Sequence, residues 1–287
     1  MDLTLADWLH PMTKRLRLGV FGLLDAADRI RGKKRKLVPP RTISLRRPSA
    51  YQNVGARFKR YLLEYGGLQR DHKVLDVGCG AGRIATALTR YLRRSAMYRG
   101  FDVSNDSIQW CRRNISKKFP HFKFQAVELY NGQYHPDGAL PAETFKFPYK
   151  DRTFDFVILV SVFTHMRPKE VENYVSEISR VLKNGGRCFI SFFLLNEESR
   201  NLLEAGKSDV AFRFPFEGCL VKSLKHPEFA IAYDQEQVRD MFKKNGLTFK
   251  NLPLYGSWCG RDLYVGYQDI VIADKKAKKP AVKPAIT

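Results

Sequence analysis

The run Lys73-Val74-Leu75-Asp76-Val77-Gly78-Cys79-Gly80-Ala81-Gly82-Arg83 constrains this chain more than any other stretch. An apolar strand carrying one acid runs into three glycines at alternate positions, and a helical pattern starts at Arg83. Glycine reaches the positive φ values that such a turn demands. A loop without side chains ahead of a helix N-terminus also lets a polar ligand lie against backbone amides.

The rest of the chain keeps the alternation. Helices are predicted over Gly55–Gly67, with Phe58, Tyr61, Leu62 and Tyr65 inward, and over Arg83–Arg93, with Ile84, Leu88 and Leu92 on one face. Ser104–Lys117 reads as a helix capped by Ser104, and Pro168–Leu182 as one stopped by Lys183-Asn184-Gly185-Gly186. Strands fall at Val74–Val77, Met97–Phe101, Phe122–Val127, Phe154–Val160 and Arg187–Leu195. The near-continuous apolar run Phe154–Val160 suits a parallel strand buried on both faces. Such alternation predicts an α/β fold, doubly wound, with helices on both sides of a parallel sheet. Leu129–Thr144 reads as a loop insertion, and residues 196–233, whose periodicity lapses, as a cap or substrate loop. Gln235–Asn245 is the last clear helix, followed by strands at Leu247–Leu252 and Tyr267–Ala273.

Charge is uneven. The 287 residues carry a net +21, of which residues 1–50 hold +8 and the tail from Asp274 holds +4. Residues 1–50 therefore read as a basic amphipathic helical extension and linker, 51–273 as the main domain, and 274–287 as a disordered basic tail. Leu5, Trp8, Leu9, Met12, Leu16, Val20, Leu23, Leu24, Ala27 and Ile30 recur at helical steps, with Arg31-Gly32-Lys33-Lys34-Arg35-Lys36 after them. Such a stripe packs on its own domain or lies on an acidic membrane, touched through residues 1–36. Five cysteines without a C-x-x-C pair or a Cys/His cluster predict a cytoplasmic, reduced protein with no metal centre. No apolar run reaches the ~18–20 residues of a membrane span.

Gly80-Ala81-Gly82-Arg83-Ile84-Ala85, with Asp102 downstream, also fits a dinucleotide-binding pattern. Three features point elsewhere: Asp76 immediately before the glycines, Phe154-Asp155-Phe156-Val157 leading to Ser161-Val162-Phe163-Thr164-His165-Met166, and Ile178–Arg187. In this order they resemble the class I S-adenosylmethionine-dependent methyltransferases, in their small-molecule branch, over residues 51–273.

The resemblance implies a Rossmann-like, mostly parallel seven-stranded sheet with an antiparallel last strand, and S-adenosylmethionine as methyl donor. It implies that Asp76, Gly78, Gly80 and Gly82 meet the donor's amino-acid end, and that Asp102 meets its ribose. Val103 and Glu128 would meet the adenine, and Val160 and Ser161 the methionine portion. His165, beyond the fourth strand, is the candidate general base, with His226 and His135 as alternatives. Tyr255, Trp258 and Arg261 are the candidate acceptor-binding groups. The expected reaction is O-methylation of a small molecule such as a saccharide or glycolipid-type acceptor. RNA or protein methylation guided by the basic termini is the runner-up, and a non-catalytic cofactor-binding protein the third reading. The fourth-strand motif lacks the Asn-Pro-Pro-Tyr or Asp-Pro-Pro-Tyr sequence of many base-methylating enzymes, which weighs against nucleic acid.

Overall fold

The computed structural model describes residues 11–32, 37–132 and 134–277. The apolar positions expected before residue 11 and the end of the basic tail lie outside these residues. Helices α1 (Pro11–Ile30), α2 (Arg41–Ser44) and α3 (Pro48–Glu64) come first. The alternating unit follows: β1 (Lys73–Val77), α4 (Arg83–Leu88), β2 (Met97–Asp102), α5 (Asn105–Cys111), β3 (Phe122–Ala126), β4 (Phe154–Leu159), α6 (Pro168–Val181) and β5 (Leu182–Phe192). Then come β6 (Leu194–Leu195), α7 (Glu197–Glu204), β7 (Phe214–Phe216), β8 (Cys219–Val221), β9 (Ile231–Asp234), α8 (Gln235–Lys244), β10 (Leu247–Phe249) and β11 (Asp269–Lys275).

The main sheet has the order β10-β11-β5-β4-β1-β2-β3. Strands β3, β2, β1, β4 and β5 run parallel, and β11 runs antiparallel to β5. This is the expected doubly wound seven-stranded sheet with its last strand reversed. Side chains alternate across it. Leu75 and Val77 enter the layer shared with α6 and α8, whereas Val74 packs with Ile84, Leu88, Tyr98 and Ile108 on the other side. Ser104 caps α5 as expected, accepting a hydrogen bond from the Ser107 amide.

The structure departs from the sequence reading in several places; as α-helices, α4 and α5 end at Leu88 and Cys111, short of the Arg93 and Lys117 expected. Helix α3 starts at Pro48, where proline's fixed φ suits the first turn, and not at Gly55. Gly55 lies inside the helix because a Cβ there would stand 2.7 Å from the Arg83 carbonyl oxygen. Tyr65, expected inward, sits at the helix end and is exposed. Lys183–Gly186, expected to lie between a helix and a strand, falls within β5 as an irregularity. Phe154 pairs with Leu182 but Phe156 with Arg187, and Gly185 takes φ 77°. Residues 196–233 hold α7 and the short strands β7–β9, which with β6 form a second sheet, β6-β9-β8-β7.

Candidate active site

The carboxyl ends of β1, β2, β3 and β4 open into one cavity of about 800 Å³. The chain order reverses across β1, with β2 and β3 on one side and β4 and β5 on the other. Ligand sites of open α/β sheets form at such a switch point.

The floor is the glycine loop. Gly78 and Gly80 line the cavity with φ 70° and 51°. Nothing lies within 4 Å of a Cβ built on Gly80, so its bareness leaves open space. Gly82 serves a different purpose. It is not part of the lining, and a Cβ there would meet Ile115 at 2.7 Å and Cys111 at 2.9 Å. It lets α5 approach the loop.

Asp102 ends β2 beside this floor. Its Oδ2 accepts from the Gly80 amide (2.7 Å) and its Oδ1 from the Ser104 amide (2.8 Å). Each oxygen keeps a second lone pair, the arrangement that suits a vicinal diol. Burial raises its pKa and the backbone donors lower it, with burial the larger effect. Val103 and Val127 form the adjoining apolar wall.

Asp76 does not line the cavity. It is buried beneath the loop and accepts a hydrogen bond from the Tyr98 hydroxyl. Burial pushes its pKa up to about 7. Glu128 is also elsewhere. Val127 and Leu129 point to the cavity, so alternation turns Glu128 outward. Its side chain is 69% exposed, with Oε2 3.7 Å from His135 Nε2.

Past β4, Val160 and Ser161 line the cavity. Ser161 takes φ 58°, a left-handed conformation unusual outside glycine. Hydrogen bonds hold it there: its amide donates to Ser191 Oγ (2.8 Å) and its hydroxyl to Gln268 Oε1 (2.9 Å).

His165 lines the far end, with Nδ1 2.9 Å from the Glu228 carbonyl oxygen. A carbonyl only accepts, so in the neutral ring Nδ1 carries the proton and Nε2 the lone pair. Nε2 lies 3.4 Å from the Tyr134 hydroxyl, and the two rings meet edge to face at 5.3 Å. Burial lowers the His165 pKa. Glu170 also reaches the cavity, its pKa pushed up to about 7, chiefly by burial. His226 lines the same end, stacked on Phe229, whereas His135 is occupied by the Leu129 carbonyl oxygen and Glu128.

The last wall comes from the N-terminal segment: Ile43, Ser44, Leu45, Arg46 and Tyr51. Arg83 stands between this wall and the glycine loop. Its buried Nε has no hydrogen-bond partner among the described residues. Burial and the neighbouring Arg46 pull its pKa down to about 10. Two cations held together in a cleft make a receptor for an anionic group. The sequence reading has Arg83 only as a helix start, although its place directly after the glycine run is a signal for a cavity residue; Arg46, Tyr134 and Glu170 carry no periodic or motif signal.

Tyr255, Trp258 and Arg261 are placed outside this cavity. Trp258 is fully buried and donates from Nε1 to Asp269 Oδ2 (2.7 Å). Arg261 pairs with Asp269 (3.0 Å) and Glu198 (2.7 Å), and Tyr255 donates to Gln235 (2.9 Å). They fasten β11 to the cap instead of facing a ligand.

A methyltransferase domain family model matches residues 75–190, the stretch from β1 through β5 that builds most of the cavity. The chain is 28% identical over 138 residues to methyltransferase GfsG of Streptomyces halstedii, covering 48% of this chain and 44% of that one. It is 32% identical over 114 residues to a fatty-acid O-methyltransferase of Mycolicibacterium smegmatis, covering 40% and 34%. These matches span less than half the length of either relative. Among solved structures, the PH0226 protein of Pyrococcus horikoshii superposes with a TM-score of 0.54 at 21% identity, covering 79% of this chain and 92% of that one, a likeness of fold.

Proposed function

We propose, from the premise that this chain belongs to the class I S-adenosylmethionine-dependent methyltransferase family, that it methylates a hydroxyl of a small acceptor of the saccharide or glycolipid type. The observation that carries this reading is His165. It is a neutral imidazole whose Nδ1 proton is committed to a backbone carbonyl and whose Nε2 lone pair faces the cavity, where the Tyr134 hydroxyl donates to it at 3.4 Å in the position an acceptor hydroxyl would take. A hydroxyl acceptor needs such a base, whereas the donor itself supplies an electrophilic methyl group on a positive sulfur.

The cavity residues fit the donor. Asp102 would take the ribose hydroxyls on its two remaining lone pairs. Gly78 and Gly80 would admit the amino-acid end, Val103 would pack on the adenine, and Val160 and Ser161 would flank the methionine portion. The unpartnered Nε of Arg83, beside Arg46, supports these two as holders of the donor's carboxylate. Asp76 would act from below, by fixing the loop through Tyr98, rather than by touching ligand. The chain's own work is alignment, exclusion of water and removal of the acceptor proton. Alignment alone contributes up to roughly 7–11 kcal/mol in the best cases. At about 800 Å³ the cavity lies high in the usual range of ligand sites, ~300–1,000 Å³, which supports two small molecules side by side.

The test is transfer of labelled methyl to a panel of saccharides and glycolipids. His165→Gln should lower the rate about 100-fold or more, as loss of a general base does, with donor affinity by calorimetry within about twofold of the parent. An undiminished rate in that variant, or label entering RNA or protein in place of small acceptors, would overturn the reading.

A further inference from the structure

Helix α1 separates its side chains in a way the cavity does not require. Phe21, Asp25 and Asp28, at helical spacing, lie on its inner side. Arg41 donates from Nη1 to Asp25 (2.7 Å) and from Nη2 to Asp28 (2.8 Å), and the Thr42 amide donates to Asp25 (3.2 Å). These two are the only acids of α1, and both are neutralised. The stripe that runs from one flank of this inner side to the outer face is apolar and open: Val20 is 55% exposed, Leu23 75%, Leu24 45% and Ile30 87%. Arg29 and Arg31 are exposed at its end.

We propose that this face of α1 docks in the plane of a bilayer containing anionic lipid. Val20, Leu23, Leu24 and Ile30 would sit among the acyl chains just below the headgroups, with Arg29 and Arg31 at the level of the phosphates. Charge selects this occupant. The outward face offers only cations on a chain of net +21, which an anionic surface attracts and a second copy of the chain repels. RNA would satisfy the arginines but leave the aliphatic stripe in water, and among the described residues the stripe, Val20, Leu23, Leu24 and Ile30, carries no aromatic ring on which a base could stack. No helix among the described residues is long and apolar enough to cross a membrane, so α1 lies on the surface. The docking reaches the cavity, because the chain leaves Arg41 directly into Ile43, Ser44, Leu45 and Arg46 of its wall. The proposal stands without the methyl-transfer reading.

The experiment sediments the full chain with vesicles of phosphatidylcholine alone and with about 30% phosphatidylglycerol, at low and high salt. Wild type should pellet with the anionic vesicles and be released by salt. Leu23→Glu/Ile30→Glu and Arg29→Gln/Arg31→Gln should each lower the bound fraction at least about fivefold, with donor affinity in solution unchanged. Failure of wild type to bind, or equal binding by the variants, overturns the proposal. So does conversion of a dimer to a monomer by the Glu variant without vesicles, or RNA binding that the Glu variant alone loses.

Discussion

His165 and Asp102 turn geometry into measurable chemistry. Because burial holds the His165 pKa below its ordinary 6.5, the ring is neutral throughout the physiological range. Methyl transfer to a hydroxyl should therefore be flat with pH above neutrality and fall only where the lowered pKa is crossed, since protonation fills the Nε2 lone pair. His165→Gln should lose that acid limb along with its rate, and a limb that persists in the variant would assign the titration to another group. If Asp102 holds the ribose diol as proposed, Asp102→Ala would remove two charge-assisted hydrogen bonds and should weaken donor binding by tens-fold or more in calorimetry. Asp76 obeys a different rule. Its folded pKa, about 7, exceeds the ordinary 3.8, so its contribution to stability is full below pH 4 and is lost as pH rises through 7. Asp76→Asn stays neutral, and its Tm relative to wild type should climb between pH 5 and pH 8; a constant difference would show the carboxyl to be ionised throughout. Residues fixed by the glycine run and by strand ends were legible in the sequence because their positions follow from the turn itself. Glu128 was misplaced because a one-residue offset at a strand end reverses the face a side chain takes.

At the scale of elements, the strands and helices of the main sheet announce themselves by apolar period, but their limits are less legible: as α-helices, α4 ends at Leu88 and not Arg93 and α5 at Cys111 and not Lys117, and β5 starts at Leu182 and not Arg187. The cap did not announce itself, because β6 to β9 are two to four residues long and a two-residue period needs more to show. The polar and aromatic cluster Tyr255–Arg261 misled for a physical reason: a chemically rich set of side chains is as useful for joining elements as for holding ligands. Asp269 on β11 collects the Leu194 and Gly256 amides, the Trp258 indole and the Arg261 guanidinium, tying together the cap, the loop before β11 and the sheet. Arg261→Ala leaves that buried carboxylate without its cation and should cost about 3–5 kcal/mol, seen as a lower Tm, with KM for the acceptor little changed in the cold. An unchanged Tm with a raised KM would return Arg261 to the acceptor site.

Over the whole molecule, the sheet and its two packed layers form one cooperative body, whereas α1 and α2 are joined to it by a narrower set of contacts. The Arg41 pairs with Asp25 and Asp28 are the main polar tie between the two helices, and the segment after α2 is a wall of the cavity. Substructures with few buried contacts open without global unfolding. Arg41→Met takes the guanidinium from two largely buried acids, Asp25 and Asp28, a penalty of up to about 3–5 kcal/mol that falls on the N-terminal unit. Hydrogen exchange should accelerate across residues 18–32 and 37–45 while the amides of β1, β4 and β5 keep their protection. Donor affinity should drop a few-fold because Arg46 and Ser44 are no longer held at the cavity edge. Uniform acceleration through the sheet would mean that α1 and α2 unfold only with the rest. The N-terminal wall would then be a fixed part of the fold, and binding at the surface of α1 would have no separate unit through which to reach the cavity.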